Sequence, residues 1–366
     1  MNTASSQLKA LGGVRQDAID AVVAAGASAL SVADAGTKEA FLDAWTRTLS
    51  AHARLLRAKG EQLSAPVVLV HVDNCADVGG SLGWARRPML GGAPTDSLAG
   101  ILAVGTAEVG AYMKPDRLQD TESMTQAIEQ AGLGARLTVA LMSTSQLIIW
   151  PYGLDGEMKP FLRELDDSPV VMNLDVLDRN LSQFYEEAAR QSRTWWKDRS
   201  QRITVEKPED TVQNDLWLFL LGKYADRAKV KRETVIGHGR ADITLSPTLQ
   251  QDASAVLELK VTRDVRTPKP GTINLTAISL QENITWARSG VQQTAAYRDD
   301  EGFDGAYLCV YDFCAGNRQE IENGIQEAAK PHNVYARRYW ITQSHEEHRE
   351  ERYPLSVADA GDATGT

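Results

Sequence analysis

Residues 237–263 read GHGRADITLSPTLQQDASAVLELKVTR. Two β-prone runs, 240–245 and 254–261, flank the turn-type residues 246–253, so the simplest reading is a hairpin. If that hairpin is symmetric about Gln250, Asp242 falls opposite Glu258. Side chains alternate along a strand, so Ala255, Leu257, Leu259 and Val261 share one face while Val256, Glu258 and Lys260 share the other. The first face is expected to be core. The second then presents Glu258 and Lys260 beside Asp242.

Two carboxylates and an ammonium set against an apolar sheet are costly unless they pair or hold a metal. A hard divalent cation between Asp242 and Glu258 removes that cost. Oxygen ligands favour Mg²⁺ or Mn²⁺, and such an ion activates water and neutralises a phosphate under attack. Lys260 is then placed to orient the water or steady the phosphate. The plainer alternative is a solvated edge strand carrying a salt bridge.

Asp242, fifteen intervening residues and Glu258-Leu259-Lys260 resemble the D…(D/E)XK signature of the PD-(D/E)XK nuclease superfamily, with Ala241 where the motif's proline stands. Upstream, Pro208-Glu209-Asp210 opens a run read as a buried helix, with Pro in the first turn and Lys223 near the end. Glu209 shares a stripe with Val212 and Leu216. In the family a glutamate here supports the metal site; otherwise Glu209 and Asp210 complement the helix dipole. Downstream, residues 281–298 read as a helix in which Trp286, Gly290, Gln293 and Tyr297 form one stripe. Gln293-x-x-x-Tyr297 resembles the extra motif of the recombination-exonuclease branch.

The resemblance implies an α/β (α+β) fold whose C-terminal part is a restriction-endonuclease-like core, a central mixed sheet flanked by helices. It implies metal ligation by Asp242, Glu258 and the Leu259 carbonyl. Mg²⁺ is the expected cofactor, with Mn²⁺ able to substitute. Lys260 is expected to serve the attacking water, Glu209 to support the metal or water, and Gln293 and Tyr297 to contact substrate. The expected reaction is hydrolysis of phosphodiester bonds in nucleic acid, DNA first, in restriction, repair or defence against foreign DNA. Cutting both strands needs two sites, so a homodimer is expected. The competing class is a binding module that keeps the fold without catalysis.

The whole chain fits around this domain. At 366 residues and 43% hydrophobic composition it is long enough for two domains. The net charge of −10 excludes a protein that coats DNA electrostatically, so nucleic-acid contacts must be local. Basic residues do gather near the hairpin: Lys229, Lys231, Arg232, Arg240, Arg263, Arg266 and Lys269, of which Arg240, Arg263, Arg266 and Lys269 are candidate substrate contacts. The loop 264–279 that carries the last two is long enough to fold over substrate.

Three scattered cysteines without a C-x-x-C pair support neither a disulfide framework nor structural zinc. With no membrane-length apolar run, a reducing, cytoplasmic location is expected. Residues 1–173 read as an N-terminal α/β domain for target selection, partner-protein binding or control. A helix is expected over 174–197 within a connecting segment 174–201. The nuclease-like domain covers 202–345, and 346–366 forms a charged tail.

Other motifs are weaker. Gly79-Gly80-Ser81-Leu82-Gly83 matches G-x-S-x-G, a minor serine-hydrolase alternative through Ser81, but residues 73–78 separate it from its strand. His345 and His348 lack metal-pair spacing and suit a solvated helix. His238 sits between glycines as a turn residue would. The aromatic and basic run 193–199 suits a packed helix end better than a strand-stacking patch.

Overall fold

The computed structural model describes residues 37–73, 85–88, 101–105, 109–113, 120–165, 172–224, 227–237, 239–249, 251–267 and 275–352. Ser81 and its glycines, His238, Lys269 and the tail from residue 353 onward lie outside these. The chain divides into two compact units, Met1–Val170 with Leu218–Ala228, and Val171–Trp217 with Lys229–Thr366. Among the described residues no helix is long and apolar enough to cross a membrane.

In the first unit, α1 (Lys38–Lys59) is capped by the Thr37 side chain and stops at Gly60, which takes a left-handed φ of 71°. Its inward residues include Phe41, Leu42, Leu49 and Ala53. Strands β1 (Val67–His71), β2 (Ala85–Pro88), β3 (Ile101–Gly105) and β4 (Val109–Met113) follow. Next come α2 (Thr121–Gln130), β5 (Thr138–Ser143), β6 (Gln146–Trp150) and β7 (Phe161–Glu164). The strands form one sheet in the order β2-β4-β3-β1-β5-β6-β7, with β1 and β3 parallel. Helix α2 begins with a reciprocal Asp120–Ser123 capping box and buries Met124 and Ile128 against Val68, Val70 and Ala140.

The second unit opens with α3 (Leu174–Glu187), β8 (Trp196–Asp198) and β9 (Ile203–Thr204). Then come α4 (Pro208–Tyr224), whose last residues belong to the first unit, β10 (Ala228–Ile236), β11 (Gly239–Pro247) and β12 (Ala255–Thr262). A short ribbon of β13 (Val265–Arg266) and β14 (Thr276–Ala277) leads to α5 (Leu280–Glu301), β15 (Gly305–Asp312), α6 (Gln319–Ala329), β16 (Tyr335–Trp340) and α7 (His345–Arg352). The sheet order is β10-β11-β12-β15-β16; β11 and β12 are antiparallel, β12, β15 and β16 parallel. It is therefore a mixed sheet flanked by helices.

Two expectations need correction. The helix expected over 174–197 ends at Glu187, followed by a 3₁₀ turn at Ala189–Gln191 and strand β8. Burial decides this: Trp195 is fully buried, donates its indole N–H to Asp215 Oδ2 at 2.7 Å, and packs on Phe184, Tyr311 and Phe313. The aromatic run 195–196 is packed in the core, as its plainer reading had it, but at the start of a strand and not at a helix end. Second, β12 does not split into a core face and an open face, because all eight of its residues are buried. It is a central strand with both sides covered. Val256 packs with Leu308, Val310 and the α5 and α6 residues Ala287, Val291 and Ile325. On the other side Tyr307 and Tyr311 meet α3 through Leu174 and Phe184. Glu258 and Lys260 share the side covered by α5.

Candidate active site

The register of β11 against β12 pairs Ile243 with Leu257, Thr244 with Val256 and Leu245 with Ala255. One more step sets Asp242 opposite Glu258, and the next would set Ala241 opposite Leu259. There the ladder gives way to side chains. The Leu259 N–H donates to Asp242 Oδ2 at 2.7 Å, and the Val261 N–H donates to Glu209 Oε1 at 3.1 Å. Two acids stand in for strand carbonyls where β11 parts from β12, so the unpaired edge of β12 fixes both.

Glu209 is placed by α4, whose Pro208 occupies the first turn. Its Oε1 also accepts the Trp286 indole N–H at 3.1 Å. One turn further, Gln213 Nε2 donates to the Asp242 backbone carbonyl at 2.8 Å and reaches Oδ1 at 3.4 Å. Lys260 Nζ donates to Glu258 Oε1 at 2.6 Å, and both side chains are 5% exposed. The ammonium also lies 4.7 Å from the centre of the Trp286 ring. The second Glu258 oxygen, Oε2, is buried without a hydrogen-bond partner.

This arrangement strains the acids electrostatically. Burial first, and Asp242 second, push the Glu258 carboxyl up to about 7. Burial likewise raises Asp242 to about 6, against the Leu259 N–H and the Lys260 charge, which favour its ionised form. Tyr297 is raised too, by burial and then by Glu258.

Helix α5 makes the roof. Gly290 lets it approach: an added Cβ would stand 2.6 Å from Leu308 Cδ1 and 3.1 Å from Lys260 Cγ. Tyr297, two stripe positions beyond, accepts the Arg240 backbone N–H on its hydroxyl at 3.1 Å. Gly239 leaves room for that hydroxyl, since a Cβ there would lie 2.4 Å from it. Gln293 is exposed and bonds to none of these groups.

A groove of about 1000 Å³ opens beside the acids, sharing Glu209, Val261 and Trp286 with them and reaching Arg263 and Arg266. Arg263 is held through Nη1 by the Thr204 and Thr267 hydroxyls, and its backbone is clamped at both N–H and C=O by Asn283. Among the described residues neither Arg263 nor Arg266 forms a salt bridge. Burial lowers the Arg263 pKa, with Arg266 adding repulsion. By contrast Arg240 pairs with Glu233, and Arg232 bonds Asn214 and lies over Trp217.

The structure thus gathers Glu209, Asp242, Glu258, Lys260 and Tyr297, with Leu259 supplying the N–H that holds Asp242. Gln213, Asn283 and Trp286 carry supporting contacts that the motif does not name. Trp286 and Gly290 did stand on the expected stripe, and a mid-helix glycine beside an aromatic is the signal of close approach.

Among the described residues no group of three or more His, Cys, Asp or Glu side chains is gathered to hold a metal. Asp242 and Glu258 nonetheless suit a hard cation: two carboxylates raised first by burial, with Asp242 adding repulsion at Glu258, and one buried oxygen of Glu258 without a hydrogen-bond partner. Magnesium sites commonly take one or two protein carboxylates, leaving the remaining positions to water and phosphate. No protein-family model matches the sequence, and no curated protein matches it.

Proposed function

We propose that this chain is a Mg²⁺-dependent phosphodiesterase that cleaves nucleic acid, DNA in the first instance. The observation that carries the reading is Glu258: a buried carboxylate with one oxygen on Lys260, the other without a partner, and a second acid opposite. A structural ion pair has no use for the extra negative charge.

Asp242 and Glu258, with the Leu259 carbonyl, would hold the ion, and Mn²⁺ would substitute. When bound, it supplies charge neutralisation at the phosphate and lowers the pKa of water. Lys260, bonded to Glu258, would steady the attacking water or the phosphate. Glu209 fixes the β12 edge and the Trp286 indole. Arg263 and Arg266, which form no salt bridge among the described residues, offer guanidiniums to flanking phosphates, a local contact compatible with the acidic chain. Tyr297 holds the start of β11, and Gln293 is available to bound strand. The mixed five-stranded sheet, its hairpin followed by parallel strands, supports assigning this unit to the restriction-endonuclease-like fold, and with it a role in restriction, repair or defence.

The test is cleavage of supercoiled plasmid, linear duplex, single-stranded DNA and RNA with Mg²⁺ or Mn²⁺. Metal-dependent cutting is expected for wild type, falling on the order of 10²- to 10³-fold in Asp242→Ala and Lys260→Ala. If wild type cuts nothing, calorimetric titration with Mg²⁺ decides. Heat that Asp242→Ala abolishes keeps the site; no heat in wild type leaves a non-catalytic module.

A further inference from the structure

Trp286 is 46% exposed in the middle of α5, an unusual place for a large aromatic, yet its ring is held at two points. The indole N–H is committed to Glu209, and the Lys260 ammonium lies against the ring at 4.7 Å. The exposed part lines the groove that also holds Arg263 and Arg266. Acidic Glu206, Asp210 and Glu282 stand on the same walls, so the groove is no cationic trough for a long duplex. Two guanidiniums that form no salt bridge among the described residues, Arg263 oriented through Nη1 by the Thr204 and Thr267 hydroxyls, stand beside a fixed aromatic surface and match one strand, its phosphates on the arginines and a base on the ring.

We propose that Trp286 is a stacking platform for an unpaired nucleobase, so that the site takes a single-stranded or frayed segment. The proposal rests on the phosphodiesterase reading and names its substrate form. A base in a duplex has both faces covered by its neighbours, whereas an unpaired base has a face to give to the indole. Lys260 behind the ring draws on its π electrons and favours an electron-rich purine on the exposed side. Because Trp286 also touches Lys260 and Glu209, occupancy of the platform sets the adjoining phosphate beside the acids.

The experiment measures binding, without cutting, of the full chain in EDTA. Fluorescein-labelled eight-nucleotide strands, oligo-dA, oligo-dT and oligo-A, are compared with an abasic phosphodiester of equal length by fluorescence anisotropy. Wild type is expected to prefer the base-bearing strands about tenfold or more, the scale of one stacked base. Trp286→Leu should bind base-bearing and abasic strands alike, and Trp286→Phe should keep most of the preference. Thermal unfolding checks that the Leu variant is folded. The oligo-A arm separates an RNA strand from a DNA strand. Equal binding by wild type, no binding of any strand, or a preference that survives in a folded Leu variant overturns the platform. Asp242-dependent plasmid cutting without base preference would sink the platform and leave the nuclease reading. Base-dependent binding without metal-dependent cutting does the reverse.

Discussion

Two buried acid–base pairs sit in the same five-stranded sheet, and they are built for different ends. On β15, Asp312 is fully buried and fully used. Its Oδ1 accepts from the Thr262 hydroxyl at 2.8 Å and the Cys314 N–H at 2.9 Å, and its Oδ2 accepts from Arg338 Nε at 2.8 Å. On neighbouring β12, Glu258 meets Lys260 with one oxygen and nothing with the other, while Asp242 adds a second negative charge. One acid matched to one cation, with both carboxylate oxygens accepting hydrogen bonds, is a structural device. Two acids against one cation, one oxygen without a hydrogen bond, is the arrangement on which the proposed metal site rests.

The sharpest break of that comparison is stability. Asp312→Asn leaves Arg338 buried and uncompensated, so unfolding free energy should fall by about 3–5 kcal/mol. Glu258→Gln leaves Lys260 an amide oxygen and the Asp242 charge, and removes repulsion. It should stay within about 1 kcal/mol of wild type. Urea unfolding of both variants decides; equal losses would make Glu258 a structural ion-pair member like Asp312.

A second, smaller effect separates the pairs by pH. Glu258 and Asp242 have folded pKa values near 7 and 6, above their ordinary 4.5 and 3.8. The folded protein therefore binds more protons, and the site's contribution to stability is greatest below about pH 4. It is lost as pH rises through 7. Lys260, Glu209 and, for Asp242, Glu233 bias this titration. Other carboxylates, Asp304 among them, are lowered by hydrogen bonds and act oppositely, so the readout is a difference. Wild type minus Asp242→Asn/Glu258→Gln should decline from pH 4 to 8 without divalent cation. Added Mg²⁺ should raise the Tm of wild type more at pH 8 than at pH 5. A flat difference curve removes the electrostatic basis for metal binding.

The hairpin was legible because period-two alternation and turn chemistry are local, and the Asp242–Glu258 register followed from its symmetry. The start of α4 was legible for the same reason, since Pro208 is a chemical start signal, whereas the Ser279 cap places α5 one residue earlier than the stripe suggested. The fate of β12 was not. Whether Glu258 faces water or α5 depends on Gly290 admitting a helix drawn from more than twenty residues downstream, and strand alternation cannot report that. Trp195 shows the same limit, since its helical pattern yields to a buried bond with Asp215, twenty residues away. Gln213 as the residue holding Asp242 needed the three-dimensional crossing of α4 over β11.

The α5 stripe gives the smallest contrast. Tyr297 is buried and its hydroxyl accepts the Arg240 N–H, whereas Gln293, on the same stripe, is exposed and bonds to nothing around the acids. Tyr297→Phe removes one hydrogen bond and should cost about 1 kcal/mol, with cleavage reduced several-fold as β11 loosens. Gln293→Ala should leave stability within about 0.5 kcal/mol. Its one route to activity is contact with bound strand, so any loss should appear in KM with Tm unchanged. A Tm drop of several degrees would show that Gln293 supports the fold and would return it to the side of Asp312, among residues that hold the sheet together.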